Sequence, residues 1–191
     1  MNVYDFDKTI YVGDSTADFY KYCLKHYPSV YRKIPEVLWY GAGFLLGIVE
    51  KKKFKSRFFK FFTLLPEPEK AVSEFWDKNI CGIKQFYLKN QREDDIIISA
   101  SPRFILSEVC KRLGIRNLIC TEINPLTCEI TGENCYGAEK VSRFEKEGFK
   151  KEDIDEFYSD SYSDSPLAKL AKKAYIVDGE RLIGWDYRKK K

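Results

Sequence analysis

The stretch Val3-Tyr4-Asp5-Phe6-Asp7-Lys8-Thr9 decides the fold, because a short apolar strand ends there in two acidic residues. On a strand, residues i and i+2 point the same way, so Asp5 and Asp7 share one face and Phe6 turns to the other. Two close carboxylates repel each other unless a cation lies between them, and a divalent metal would supply that charge. The alternative is a polar strand end with solvated acids, and this stretch alone leaves both interpretations open.

Beyond residue 90 the chain alternates between strand patterns and helix patterns. Strands are predicted at 95–99, 117–120, 156–158 and 174–177, helices at 102–113, 138–147 and 166–173, and a β-hairpin at 121–136 with its turn near 131–134. The run Ile96-Ile97-Ile98 is typical of a strand that is buried on both faces. This alternation predicts an α/β fold, with a Rossmann-like, doubly wound parallel sheet and helices on both faces.

Residues 13–90 have an almost wholly helical pattern. One helix is predicted to run to about His26 with Asp14 or Ser15 as its cap, and further helices are predicted at 36–65 and 69–90. We therefore predict a core domain formed by residues 1–12 and 91–191, with a helical cap domain (13–90) inserted after the first strand.

Composition limits the possible functions. The net charge of +4 is local: residues 51–60 carry six basic groups and 188–191 carry four, which leaves 23 basic against 29 acidic residues elsewhere. This balance argues against a nucleic-acid-binding surface. The six cysteines lack CxxC spacing and there is one histidine, which disfavours zinc. Without a recognisable signal peptide, and with its longest apolar run (37–49) too short to cross a bilayer, the chain is predicted to be cytoplasmic with reduced thiols.

Three further groups of polar residues follow predicted strands or begin helices. Ser99 could donate to a phosphate oxygen, or Ser99 or Ser101 could cap the helix that starts at Pro102, and both roles can coexist. Lys140 begins a helix where the dipole disfavours a cation, so it indicates an anionic partner or is simply a surface lysine. Asp160 and Asp164 offer the oxygen ligands that magnesium prefers, although Asp164 could instead cap a helix ahead of Pro166.

Taken in order, these residues resemble the four motifs of the haloacid dehalogenase superfamily of phosphohydrolases. The opening Asp5-Phe6-Asp7, the segment Ser99-Ala100-Ser101-Pro102 and the helical insertion resemble its phosphoserine phosphatase-like branch. The bacterial phosphatidylglycerophosphate phosphatases of that branch look similar too. The resemblance covers the core from Val3 to Val177, and it covers the insertion in placement and helicity only.

The resemblance implies a phosphatase with a covalent intermediate. Asp5 would be the nucleophile and would form an aspartyl-phosphate, while Asp7 would protonate the leaving oxygen and then activate water. Mg²⁺ would be held by Asp5, the backbone carbonyl of Asp7, and Asp160, with support from Asp164. Ser99 and Lys140 would hold the phosphoryl oxygens.

Two positions depart from that branch and bear on the substrate. Ala100 and Ser101 replace two glycines beside the phosphate, which makes the space smaller and more polar. Asp14 replaces a glutamate that binds the substrate's amino group, although a helix cap is the favoured role for Asp14. These changes argue against serine phosphate, so we predict a small-molecule or lipid phosphate monoester as the substrate. Phosphotransfer through the same intermediate, or a non-catalytic phosphoryl-binding module, are the alternatives.

The cap sequence suggests two possible roles. Its apolar stretch 37–49 and the lysine run 51–60 could together contact an anionic membrane or accept an apolar or large leaving group. The favoured interpretation is that the apolar residues pack inside the cap and the lysines form its solvated face. The sequence does not predict an oligomeric state.

Overall fold

A six-stranded sheet forms the centre of the computed structural model, which describes residues 1–124 and 126–189. In chain order the strands are β1 (Asn2–Tyr4), β2 (Ile96–Pro102), β3 (Asn117–Thr121), β4 (Glu156–Ser159), β5 (Lys173–Asp178) and β6 (Arg181–Gly184). Their spatial order is β3-β2-β1-β4-β5-β6. The first five are parallel, and β6 pairs antiparallel with β5.

Helices cover both faces of this sheet. The helices are α1 (Ser15–His26), α2 (Ile34–Leu45), α3 (Lys51–Phe59), α4 (Pro68–Asn79), α5 (Gln85–Asn90), α6 (Arg103–Arg112), α7 (Ala138–Lys146) and α8 (Ser165–Ala168). Tyr4 belongs to one buried cluster together with Leu106 of α6, whereas Val3 belongs to a second cluster with Phe144 of α7 and Leu167 of α8. The predicted doubly wound α/β fold is therefore confirmed.

β1 is the central strand and fixes where a ligand can bind. Val3 pairs with Ile96 of β2 on one side and with Phe157 of β4 on the other. The chain moves outward from β1 first through β2 and β3, and then in the opposite direction through β4 and β5. In open α/β sheets, ligands bind beyond the carboxyl ends of the strands at such a reversal.

The segment between β1 and β2 is built on aromatic packing. Its buried side chains include Phe19, Phe61, Phe75 and Trp76, which join the same apolar cluster as Tyr4. The indole Nε1 of Trp76 donates to the carbonyl oxygen of Ile105 at 2.8 Å, so α4 is fixed directly to α6. The proposed division of the chain at residues 12 and 90 stays a prediction.

The helices observed in this segment are shorter than the sequence pattern predicted. The 36–65 pattern is interrupted between α2 and α3, where Gly47 has a φ of +72° that is accessible to glycine and ends the first helix. The 69–90 pattern is interrupted between α4 and α5, because Ile83 leaves the helix and forms a bridge with Tyr11. The predicted cap of α1 is confirmed: the Asp14 side chain accepts from the amide of Ala17 at 2.9 Å.

Several predictions for the core need correction. The predicted helix 166–173 is limited to α8, because Lys173 already pairs in β5, and β6 follows the strand that was expected to be last. The hairpin at 121–136 is a single bridge between Ile123 and Ile130. Its reversal lies between Asn124 and Cys128, where the Cys128 amide donates to the Asn124 carbonyl at 2.8 Å, and not near 131–134.

The apolar residues of the cap differ in burial, and the favoured interpretation is wrong for the stretch 37–49. Phe59, Phe61, Phe62 and Leu65 are buried, as expected for residues that pack inside the cap. In contrast, α2 contains no buried residue, although most of its residues are apolar. Within the described residues, no helix is long and apolar enough to cross a membrane.

Candidate active site

The end of β1 places the two acids of the opening motif at the reversal of the sheet. The Asp5 amide still donates to the Tyr158 carbonyl of β4 at 2.9 Å, and the chain then turns through Lys8, whose φ is +56°. Asp5 and Asp7 both line one cavity. Phe6 lies on the opposite side and its ring meets that of Trp76 edge-on at 5.9 Å. The alternation expected from the sequence is therefore present.

Lys140 joins the end of β1 to the loop after β4. Its Nζ lies 2.7 Å from Asp5 Oδ1 and 2.7 Å from Asp164 Oδ2, and only 2% of the residue is exposed. Burial by itself would lower the pKa of this ammonium, but the two carboxylates outweigh burial and raise its pKa. Lys140 therefore remains a cation and is not a surface lysine.

Asp5 lines the cavity and is hydrogen-bonded to the buried lysine. Lys140 donates to its Oδ1 at 2.7 Å. The pKa of the Asp5 carboxyl is raised to about 7, because burial and the neighbouring charge of Asp164 outweigh the lowering effect of Lys140. An additional cation would therefore favour the ionised form of Asp5.

Asp164 does not cap α8 with its side chain, which corrects one of the sequence interpretations. It occupies the N-cap position, but its Oδ2 accepts from Lys140 and from the Ser159 hydroxyl at 2.8 Å. Its Oδ1 is buried and has no hydrogen-bond partner among the described residues. A nearby loop contact fixes Asp160, whose amide donates to Thr9 Oγ1 at 2.9 Å.

Asp7 is held by contacts to both of its oxygens. The amide of Ser15, at the start of α1, donates to Oδ1 at 2.6 Å, and the Ser101 hydroxyl donates to Oδ2. Burial raises the pKa of the Asp7 carboxyl to about 6, with a further contribution from Asp14, while the hydrogen bonds of Ser101 and Ser15 lower it. Asp7 is therefore suited to hold and release a proton near neutral pH.

Ser99 and Ser101 do not cap α6. β2 extends to Pro102, which occupies the N-cap position of that helix and has no side-chain hydrogen bond to it. The Ser99 hydroxyl instead accepts from the Ser101 amide at 3.1 Å, and Ser99 is only 1% exposed. Because β2 extends beyond Ser99, the Ser101 side chain reaches Asp7. The predicted helix start at 102 did not suggest this contact.

A cavity of about 350 Å³ brings the predicted residues together. Of the nine residues predicted from the sequence, all except Ser101 line it: Asp5, Asp7, Asp14, Ser99, Ala100, Lys140, Asp160 and Asp164. Ser101 lies behind Asp7. The cavity is therefore the candidate active site.

The donor set fits a magnesium ion. Asp5, Asp160 and Asp164 supply hard oxygen atoms, and the buried, unpartnered Oδ1 of Asp164 is the group that a cation would satisfy. Burial also raises the pKa of Asp160, which a metal would reverse. The described residues hold no group of three His, Cys, Asp or Glu side chains arranged as a metal centre on their own. The implied set relies on a backbone carbonyl, and magnesium usually keeps several waters.

The comparison with protein families decides the identity of the fold and its site. The model of the haloacid dehalogenase-like hydrolases matches residues 3–169. The chain belongs to this family. The match spans the four groups of site residues from Asp5 to Asp164, and it confirms the resemblance seen in the sequence. A comparison with curated proteins gave no match.

Solved structures share the fold of this haloacid dehalogenase-like hydrolase. A protein of unknown function from Bordetella pertussis Tohama I is 17% identical with a TM-score of 0.75, and the match covers 92% of this chain and 88% of that one. A phosphoserine phosphohydrolase-like protein from Francisella tularensis subsp. tularensis SCHU S4 is 21% identical with a TM-score of 0.53, covering 92% and 87%. A HAD family hydrolase from Salmonella enterica subsp. enterica serovar Typhi is 14% identical with a TM-score of 0.57, covering 90% and 60%. At these identities the similarity concerns the fold.

The sequence analysis missed six residues that line the hydrolase cavity, namely Lys8, Lys51, Lys55, Tyr136, Ser161 and Ser163. Lys55 Nζ donates to the Ala100 carbonyl at 3.0 Å and to Asn134 Oδ1 at 2.7 Å. Burial lowers its pKa to about 8, and the charge of Lys51 contributes. The i, i+4 spacing of the two lysines on α3 was the available signal, because it places them on one helix face.

Proposed function

We propose that this hydrolase is a magnesium-dependent phosphatase that cleaves a phosphate monoester through a phosphorylated Asp5. The observation that supports it most is the buried Lys140, which bridges Asp5 and Asp164 at the cavity that Asp5 and Asp7 both line. This arrangement keeps a carboxylate next to a cation in a site that can accept an anion.

The first step forms a bond from a carboxylate oxygen of Asp5 to phosphorus and breaks the bond between phosphorus and the leaving oxygen. Asp7 gives its proton to that oxygen, so the alcohol leaves neutral. Lys140 and the Ser99 hydroxyl would hold the equatorial phosphoryl oxygens, whose charge grows in the transition state. The raised pKa of Asp7 makes the protonated form accessible for this step.

In the second step Asp7 acts as a base instead of an acid. Asp7, now ionised, takes a proton from water, and the water oxygen attacks phosphorus. The bond between phosphorus and Asp5 breaks, which releases inorganic phosphate and restores both carboxyl groups to their starting states. Magnesium, held by Asp5, the Asp7 carbonyl, Asp160 and Asp164, would supply positive charge that offsets the repulsion between Asp5 and the phosphate.

The substrate class is a small-molecule or lipid phosphate monoester. Ala100 lines the cavity directly after Ser99, and Asp14 lines the same cavity. Asp14 also caps α1, so its carboxylate is already partly engaged. These features support a substrate other than serine phosphate. A cytoplasmic location also remains part of this proposal.

Phosphate release from para-nitrophenyl phosphate tests the proposal, with magnesium or with EDTA. We expect release by the wild type with magnesium, loss of release with EDTA, and loss by at least about 10³-fold in Asp5→Asn, because the nucleophile is removed. Asp153→Asn is the matched control, since Asp153 is exposed and lies outside the cavity. It should retain full activity.

Acid quenching followed by mass spectrometry should show one added phosphoryl group on the peptide that contains Asp5. Adding alcohols to the same assay separates hydrolysis from phosphotransfer, since transfer would yield new phosphate esters at the expense of free phosphate. A well-folded wild type that binds phosphate but releases none from a panel of sugar, lipid and amino-acid phosphates would refute the catalytic proposal.

A further inference from the structure

The α2 helix and the turn after it expose large apolar side chains. Five residues form what we call the α2 patch: Leu38 (67% exposed), Trp39 (78%), Leu45 (84%), Leu46 (74%) and Ile48 (77%). Leu38 and Leu45 are seven residues apart, as are Trp39 and Leu46, so the pairs lie on the same side of the helix. Single exposed apolar residues are common, but a contiguous group of this kind marks an interaction surface.

The patch is held firmly to the basic helix α3. The rings of Phe44 and Phe54 stack at 5.5 Å, and the Arg57 guanidinium lies 5.2 Å from the centre of the Tyr40 ring. Arg57 also pairs with Glu36 at 3.4 Å. α2 and α3 therefore present their surfaces as one unit, and the apolar patch does not depend on a loose segment.

This unit is positively charged, whereas the rest of the chain is nearly neutral. From the start of α2 to the end of α3 (34–59) there are five basic and two acidic residues, whereas the remainder contains 28 basic and 27 acidic residues. Lys51 and Lys53 are exposed, and they follow the patch directly in the chain. Apolar groups and lysine ammonium groups thus occur side by side on the cap.

We infer that the α2 patch and the neighbouring lysines dock this protein onto an anionic lipid bilayer. The apolar side chains would enter the boundary between headgroups and acyl chains, while the lysines would attract acidic headgroups. A second copy of the chain would bring the same positive charge to the contact, which opposes self-association through this face. The inference is independent of the proposed phosphatase reaction.

Trp39 offers a direct measurement of this contact. The chain has three tryptophans, of which Trp76 is fully buried and Trp185 is 9% exposed, so Trp39 is the one that solvent reaches. Vesicles of phosphatidylcholine with phosphatidylserine should shift its emission to shorter wavelength and carry the full chain into the pellet. Vesicles of phosphatidylcholine alone should do so far less. Trp39→Phe should still sediment with the vesicles but lose the spectral shift.

Two matched pairs of variants separate the apolar and the electrostatic contributions. Trp39→Gln combined with Leu45→Gln should reduce vesicle binding at least about tenfold, because two exposed apolar groups are lost. Leu182→Gln, on β6, is its control and should bind normally. Lys52→Gln combined with Lys53→Gln should weaken binding mainly at low salt, whereas the same change at the exposed Lys150 and Lys151 should have little effect.

Several outcomes would overturn the inference. One is a wild type that does not bind phosphatidylserine vesicles at low salt. Another is binding that survives the loss of Trp39 and Leu45, because the patch would then not be the docking surface. Light scattering gives a third: a dimer that dissociates in the Trp39→Gln and Leu45→Gln variant, without vesicle binding, would assign the patch to a second copy. Phosphate release can be measured on the same samples and does not affect these outcomes.

Discussion

Two regions depart from the usual pattern of burial in opposite ways. One is the floor of the candidate active site, which consists of Asp5, Lys140 and Asp164, and the other is the α2 patch. At the floor, Lys140 and Asp164 are each 2% exposed although both are charged. In the patch, Leu45 is 84% exposed although it is apolar. The two regions differ in their contacts. The charged groups of the floor pair with one another. In contrast, the described residues leave the patch uncovered. The floor is therefore expected to be sensitive to substitution, and the patch tolerant of it.

The sharpest test of this comparison is Lys140→Met. It removes the cation that Asp5 and Asp164 share and leaves two buried carboxylates close together, so the free energy of unfolding should fall by about 3–5 kcal/mol at neutral pH. Urea denaturation measures the change. The loss should shrink at acidic pH, because protonation of the carboxyls relieves their repulsion.

Lys146→Met, on the exposed side of the same helix α7, is the control and should change stability little. If both variants lost the same stability, or if the Lys140→Met loss were independent of pH, the charged floor would not be the cause.

For Asp7→Asn we expect an intermediate change in the free energy of unfolding, opposite in sign to that of Lys140→Met. The pKa of Asp7 is about 6 in the folded protein against a usual 3.8, so the folded state binds more protons between these values. The free energy of unfolding therefore falls as the pH rises through that window. Asparagine cannot ionise, so the variant should be more stable than wild type by about 1–3 kcal/mol at neutral pH, while phosphate release is lost.

Urea denaturation of wild type and Asp7→Asn between about pH 4 and pH 7 checks this prediction. The two curves should converge at the acidic end and separate as the pH rises. An Asp7→Asn protein that is less stable than wild type at neutral pH would mean that the contacts to Ser15 and Ser101 outweigh the burial of the charge.

The smallest effect is expected in the patch. Leu45→Gln should change the free energy of unfolding by no more than about 0.5 kcal/mol, since the side chain has no packing to lose. The same substitution at Leu65, which is 5% exposed, should destabilise the protein by about 2–5 kcal/mol. Thermal unfolding of both variants measures the contrast, and a large loss in Leu45→Gln would show that the patch contributes to the fold.

The sequence was sufficient to predict the fold class and eight of the residues that line the cavity. The reason is geometric: parallel strands bring their carboxyl ends to one edge, so Asp5, Ser99 and Asp160 meet despite their separation in the chain. The family match then confirmed the resemblance carried by these motifs. The roles assigned to the individual residues stay predictions.

The remaining errors arose where a local signal competed with tertiary pairing. Ser101 has the composition of a helix cap, but β2 continues through it because Pro102 still pairs with Thr121 of β3. Asp164 precedes a proline, as caps often do, yet its carboxylate binds Lys140, which is 24 residues away. β6 was missed because Arg181, Leu182 and Ile183 are exposed at an edge and lack the buried pattern of the central strands.

The contact between Asp5 and Lys140 joins residues 135 positions apart, which has a consequence for how the chain is made. At a synthesis rate of about 5–20 residues per second, Asp5 leaves the ribosome on the order of ten seconds before Lys140. The intervening helices and β2 are synthesised in that interval, whereas β4, the other neighbour of β1, is synthesised only after Lys140. A nascent chain therefore cannot form the contact between Asp5 and Lys140 until its last third is being translated.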